Sequence, residues 1–470
     1  MSLTRTTLSS SCKLLAAALT LVIGSSCGEV TEPPPQPNVI IWLVDTLRAD
    51  HLSSYGYERP TSPRLDALAQ TGVLFEQAHV HSNWTQPSVI SLLTGLLPPV
   101  MDKAFGRRLS DDLLLLPEWL REHGYLTAGI SITVATAARY GFAQGYRDYW
   151  QVDADQDGRE RKGRAGQAFD GERVVDSAIQ WFDERRQAGR PFFLYLHTVD
   201  PHMPYEVHDD LPRFTGPYDG PQDGSLDPLQ NAKENKLFSD ADKQNLIDLY
   251  DGEVAYSDHQ LGRLIDALEQ RELLQDTLLV VVSDHGEELF DHKTQGHGHR
   301  NLHAELTHVP WVMSWPAGLP AGLRVEPLVR GVDLAPTLVE LVGLPPMPLS
   351  DGRSLSKLLR AGETRWPDAE LIVDRAKGVD DLLALRTAEH LYVSRRDLEP
   401  ATEAWFDLEH DPSAKTDLAD SLPEGLLRAQ KTLQRYLKLR AERARSLGAT
   451  RAVEPSDLAT EQLRQLGYLK

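Results

Sequence analysis

NVIIWLVD, residues 38–45, runs six apolar residues from Val39 to Val44 without a polar interruption and then ends on Asp45. A strand with one solvated face alternates polar and apolar residues. A strand that does not alternate is covered on both faces, as in a parallel sheet sandwiched between helices. Two more runs share this character. PFFLYLHTVDPH, residues 191–202, passes out of its apolar part into His197, Asp200 and His202, and TLLVVVS, residues 277–283, is followed by Asp284 and His285. Helical periodicity separates the strands at PTSPRLDALAQTG (60–72), LLLLPEWLREHGY (113–125), FDGERVVDSAIQWFDERRQ (169–187) and the stretch 248–272. Alternating strands and helices predict an α/β domain built on a large, mostly parallel sheet flanked by helices.

Open α/β sheets bind ligands beyond the carboxyl ends of their strands. Asp45, Asp284, His285 and His202 all fall at that edge. Two carboxylates from separate strands and an imidazole make a site for one divalent cation: calcium where oxygen donors dominate, manganese or zinc where the imidazole joins them. The polar segment from Ser283 to Glu305 adds His292, His297, His299 and His303, with His308 close behind. Imidazoles beside a cation are suited to proton transfer at a leaving group. SNWTQPSVISLLTG, residues 82–95, leaves two readings open for Thr85. It is either an N-cap, with Pro87 in the first turn and Ile90, Leu92 and Leu93 turned inward, or a nucleophile.

The 470-residue chain carries 69 acidic against 49 basic residues, a formal charge of −20. That balance gives no basic footprint for nucleic acid and excludes steering to an anionic membrane. Met1–Cys27 reads as an export leader, with Arg5 and Lys13, the run LLAAALTLVIG, and small residues before Cys27. The run is too short to span a bilayer. Small residues directly before a cysteine, then a Pro-rich tether at 28–37, resemble a bacterial lipoprotein signal, although Gly24 stands where such signals carry leucine; an ordinary cleaved signal peptide is the other reading. The lipoprotein reading places the protein in a bacterial envelope, anchored through Cys27. Cys12 and Cys27 are the only cysteines, so the exported part has no disulfide, thiolate ligand or cysteine nucleophile.

Taken in order, NVIIWLVDTLRADHLSSYGY, TQPSVISLLTG, TVDPHMPY, VVVSDHGEELFDH with QGHG, HVPWVM, GVDLAPTLVELVGLP with DGRSL, and AWFDLEHDPSAKTDLAD resemble the sulfatase family of the alkaline phosphatase superfamily. The resemblance implies a catalytic domain over 38–345 and a small C-terminal α+β subdomain with a helical tail over 346–470. It also implies metal ligation by Asp45, Thr85, Asp284 and His285, catalytic roles for His202 and His297, and a substrate contact from Arg48. Thr85 stands at the family's nucleophile. The implied activity is metal-dependent hydrolysis of a sulfate or phosphate ester, small-molecule or glycan. No protein partner is evident.

Three departures mark this chain. Sulfatases carry cysteine or serine at the nucleophile and convert it to formylglycine, whereas Thr85 yields no such aldehyde. The signature arginine is Val89, and Thr46 replaces a second metal aspartate. The lysine and histidine expected after TAGI (127–130) are absent, leaving Lys103, Arg107 or Arg108 as replacements to test. Fewer cations favour a monoanionic ester, which a sulfate monoester, phosphodiester or phosphonate ester provides. The alternative is a fold that has lost catalysis and binds an anionic glycan.

Overall fold

The computed structural model describes residues 36–98, 107–151, 171–208, 210–235, 237–297, 301–361, 369–374, 382–396, 401–421, 424–447, 451–453 and 460. The leader, Cys12, Cys27, nearly all of the tether, Lys103 and His299 lie outside them.

In chain order the strands of the main sheet are β1 (Asn38–Val44), β2 (Val73–His79), β3 (Leu126–Ser131), β4 (Asp148–Gln151), β5 (Phe192–Thr198), β6 (Thr277–Ser283), β7 (Trp311–Ser314) and β8 (Leu323–Arg330). They lie in the order β8-β2-β7-β6-β1-β5-β3-β4, and β7 alone runs antiparallel to its neighbours. The sequence of β1 explains its central place. Val39, Ile41 and Leu43 enter the apolar layer on one face and Ile40, Trp42 and Val44 the layer on the other. Every one of the six is shut off from solvent.

Among the flanking helices are α1 (Pro63–Thr71), α2 (Thr85–Thr94), α3 (Leu116–Glu122), α4 (Gly171–Glu184) and α5 (Asp240–Gln270). Helix α5 begins eight residues before the expected Asp248, because Ser239 and Asp242 close a reciprocal capping box that the apolar periodicity does not announce. This helix is bolted to the segment following β1. The Tyr250 hydroxyl donates to the Thr46 carbonyl (2.8 Å) and accepts from the Arg48 N–H (3.0 Å). Asp251 pairs with His51 (2.7 Å) and Arg59 (2.8 Å), and Asp258 accepts from the first amides of α1, at Arg64 and Leu65.

The C-terminal part forms a four-stranded antiparallel sheet of β9 (Leu371–Asp374), β10 (Leu382–Arg386), β11 (His390–Arg395) and β12 (Thr402–Asp407). Helix α6 (Leu426–Ser446) covers one face through Leu426, Ala429, Leu433 and Tyr436, and the other face packs on Leu302 and Leu328. The Asp374 N–H donates to the His81 carbonyl (2.9 Å), so the small sheet abuts the segment leading into Thr85.

Candidate active site

Parallel pairing of β1 with β6 sets Val44 opposite Ser283, so Asp45 and Asp284 leave the sheet side by side. His285 Nε2 lies 3.5 Å from Asp45 Oδ1 and 3.5 Å from Asp284 Oδ2. Its Nδ1 donates to the Gly286 carbonyl (2.9 Å), which commits the proton there and leaves Nε2 as an acceptor. Position 286 must be glycine, since a Cβ would stand 2.0 Å from the Glu305 carbonyl oxygen. Asp45 Oδ1 and Asp284 Oδ2 are buried and accept no hydrogen bond. Two orphaned carboxylate oxygens facing a neutral imidazole are the donor set a divalent cation fits.

Sequence reasoning noted His197 at the end of an apolar run but gave it no role. It sits on β5 opposite Leu43, with Nε2 4.0 Å from Asp45 Oδ2. Asp45, His197 and Asp284 present ligand atoms within 4.8 Å of one another. The even apolar run of β5 was the available signal, because a histidine in a fully buried strand needs a polar reason to be there.

Thr85 is not the cap of α2. Trp84 holds that position, and no side-chain hydrogen bond caps the helix. Thr85 is the first helical residue, and its hydroxyl donates to His285 Nε2 (3.3 Å). Two further side chains fix the start of α2. The Ser88 hydroxyl donates to the Asp284 carbonyl, and the Gln86 amide donates to the Ala135 carbonyl (2.8 Å). Thr46 lies at φ 59°, a left-handed conformation that is strained for a β-branched residue. Its N–H faces Asp284 Oδ1 at 3.4 Å.

The electrostatics follow from crowding acids in a dry place. Burial, with the charges of Asp284 and Glu287, drives the Asp45 carboxyl well above the usual range. Burial pushes Asp284 up to about 7. Burial also lowers His285 to about 4 and His197 to about 3, so both imidazoles are neutral at neutral pH.

His297 and His202 lie beside this group. The His297 ring stands 4.5 Å from His285 and 4.8 Å from His202. Glu287, a residue the sequence did not flag, is fully buried and places Oε1 3.3 Å from His297 Nδ1. His202 donates from Nδ1 to the Met203 carbonyl. Arg48 departs from its expected substrate contact. All five of its donors are engaged, by Asp50, by Asp291 and by the Glu287 carbonyl, which leaves none for a ligand.

Among the described residues, none of the positions that match the family's missing cations carries one. Val89 lies in the apolar core. The turn after β3 offers neutral Ser131, Thr133 and Thr136, and Arg108 pairs with Asp111 at the surface; the Arg107 side chain lies outside the described residues. His292 joins a separate cluster, bonded to Glu305 (2.7 Å) and stacked on His303 (4.0 Å), while the His308 ring stacks on His79 at 4.9 Å.

A sequence profile for sulfatases matches residues 37–344. The chain belongs to the sulfatase family. Among relatives of this sulfatase-family chain, a sulfatase of Formosa agariphila is 26% identical over 433 residues, covering 82% of this chain and 83% of its own. A solved 2-O GAG sulfatase superposes with a TM-score of 0.70 at 19% identity, over 89% of this chain and 95% of its own. The phosphonate monoester hydrolase of Agrobacterium radiobacter does so with 0.65 at 22% identity, over 90% and 99%. The fold expected from the apolar strands is therefore the fold found, and the protein is a sulfatase-like ester hydrolase.

Proposed function

We propose that this family member hydrolyses a monoanionic sulfate, phosphodiester or phosphonate ester, with Thr85 itself as the nucleophile. The carrying observation is the Thr85 hydroxyl, held on His285 Nε2 where two buried aspartates meet. Asp45, Asp284, His285 and Thr85 would hold the divalent ion, with His197 behind Asp45. When bound, that ion supplies Lewis acidity, lowering the hydroxyl's pKa and neutralising a substrate oxygen. The chain's own residues do the rest. The Thr85 hydroxyl gives up its proton to solvent and its oxygen bonds to sulfur or phosphorus as the ester oxygen departs, and the protonated form of His202 or His297 gives that oxygen a proton. Glu287 orients the His297 ring through Nδ1. Water then cleaves the Thr85 ester and regenerates the hydroxyl.

Lack of formylglycine favours phosphorus, because an ester on threonine has no elimination route and must be hydrolysed. Family membership favours sulfate. The 2-O GAG sulfatase supports a glycan as one substrate class. We further propose that the mature protein is a lipoprotein held in a bacterial envelope through Cys27, with 28–37 as its tether.

The test compares nitrophenyl sulfate, phosphate, phosphodiester and phosphonate esters as substrates, with metals varied. Thr85→Ala should lower turnover by several orders of magnitude, Thr85→Ser should retain substantial activity, and mass spectrometry of a slow turnover should find the adduct on the Thr85 peptide. An active Thr85→Ala enzyme, or an adduct elsewhere, refutes the assignment.

A further inference from the structure

The site is rich in carboxylates and poor in cations, although its proposed substrate is an anion. Asp45, Asp284 and Glu287 are fully buried in it, and one divalent ion offsets only two of those three charges. The positions expected to supply arginine and lysine are apolar at Val89 and neutral from Ser131 to Thr136. Arg48 has no donor to spare.

Lys233 differs from the other cations near the site. It belongs to the helix Leu226–Asn235, in the segment between β5 and α5. Its ammonium lies 4.0 Å from the Met203 sulfur, next in sequence to His202. Its charge is felt at His202 and is drawn by Glu287, and burial holds its pKa below the usual lysine value. Among the described residues no carboxylate lies within ion-pair distance of it, and a thioether is a weak partner. Lysine ordinarily extends its ammonium into water. Lys233 is only half-buried, and holding its ammonium against a buried methionine without an anion is unfavourable unless an anion arrives.

We infer that Lys233 binds the anionic group of the substrate on the His202 side of the site, supplying from the segment before α5 the positive charge that Val89 and the turn after β3 lack. The inference rests on the reading of the site given under Proposed function. The ligand class is a tetrahedral oxyanion, sulfate or phosphate, free or esterified. The lysine is placed to contact a substrate oxygen directly, as a point charge with three donors.

Calorimetry of metal-loaded protein with inorganic sulfate and inorganic phosphate tests it without depending on turnover. Lys233→Met keeps the length of the side chain and removes the charge. Loss of a charge-assisted hydrogen bond weakens anion binding roughly 10- to 100-fold, with metal content unchanged, and Lys233→Arg should recover most of the affinity. Nitrophenyl ester kinetics should show kcat/KM falling in Lys233→Met by a similar factor. Binding in Lys233→Met within twofold of the parent overturns the inference. So does a variant whose melting temperature and affinity fall together and which arginine does not rescue, since that marks a structural lysine. If the parent itself binds neither anion, the reading of the site fails and the inference goes with it. If parent and variant bind equally, the inference alone fails.

Discussion

Replacing Asp284 by asparagine in metal-free protein should change stability in a way that depends on pH, with a sign that metal reverses. In the folded, metal-free chain the Asp284 carboxyl titrates at about 7, chiefly because burial disfavours its charge; in the unfolded chain it titrates near 3.9. A group with a raised folded pKa contributes stability below its unfolded pKa and loses it as pH rises through its folded pKa. Ionising Asp284 therefore costs the fold roughly 4 kcal/mol by pH 8, of which about 1–2 kcal/mol is already lost at pH 5. Asparagine carries no such charge. Its stability advantage over aspartate should grow by about 2–3 kcal/mol between pH 5 and pH 8, and relief of the neighbouring Asp45 adds to it in the same direction. The difference between variant and parent is the quantity to measure. The buried imidazoles, such as His197 and His285 with folded values near 3 and 4, act in the opposite sense on the raw profile and cancel in the difference. Urea denaturation of the chelated proteins at pH 5, 6, 7 and 8 supplies it. With a divalent ion added at pH 8, the parent should become the more stable of the two, because binding to the native state adds stability. A difference that is flat with pH, or shrinks as pH rises, refutes the claim that Asp284 is an acid stranded in a dry site.

Two other outcomes follow from features outside the reacting group. Tyr250→Phe removes the hydroxyl that bridges the Thr46 carbonyl and the Arg48 N–H, stranding two buried backbone groups; stability should fall by about 2–4 kcal/mol in urea denaturation at unchanged m-value, and a loss under about 1 kcal/mol would mean that the bridge is replaced. Cys27→Ala should move the protein from the membrane to the soluble fraction of the producing bacterium, and unchanged fractionation would end the lipoprotein proposal.

The central sheet was legible because burial on both faces writes itself into the sequence as an unbroken apolar run, as at Val39–Val44 and Leu278–Val282. Asp45 and Asp284 were legible for the same reason, since each ends such a run. Their meeting depends on register, Val44 against Ser283, which no local pattern specifies. His197 ended an apolar run but received no role, because Asp200 and His202 follow it in the same polar exit, and Glu287 escaped notice because it breaks no periodicity. Arg48 shows the opposite failure. Its position pointed to substrate, but Asp50 and Asp291 claim the guanidinium, and Asp291 is distant in sequence. For Thr85 the capping rules named a plausible residue one place too late, because backbone geometry makes Trp84 the cap.

The attachment of α5 divides the chain into parts that can change at different speeds. Its inner turns, from Tyr250 to Asp258, grip the segment after β1 and so hold Asp45 in place. The residues between Met203 and Ser239, which carry Lys233, join the same helix over its first turns, through the Ser239 cap, the Tyr218 hydroxyl on Asp242 and the Asn245 amide on the Gln222 carbonyl (2.7 Å), and at Glu253, which takes the His208 ring (3.1 Å). None of the bonds that Tyr250, Asp251 and Asp258 make to the β1 segment passes through that stretch. On the reading proposed above, insertions, deletions or wholesale exchange of residues 209–238 would alter which ester is admitted, and whether Lys233 meets it, while the two aspartates keep their separation. Laboratory chimeras that borrow this stretch from other sulfatases have a natural pair of seams, one just past His208 and one just before Ser239.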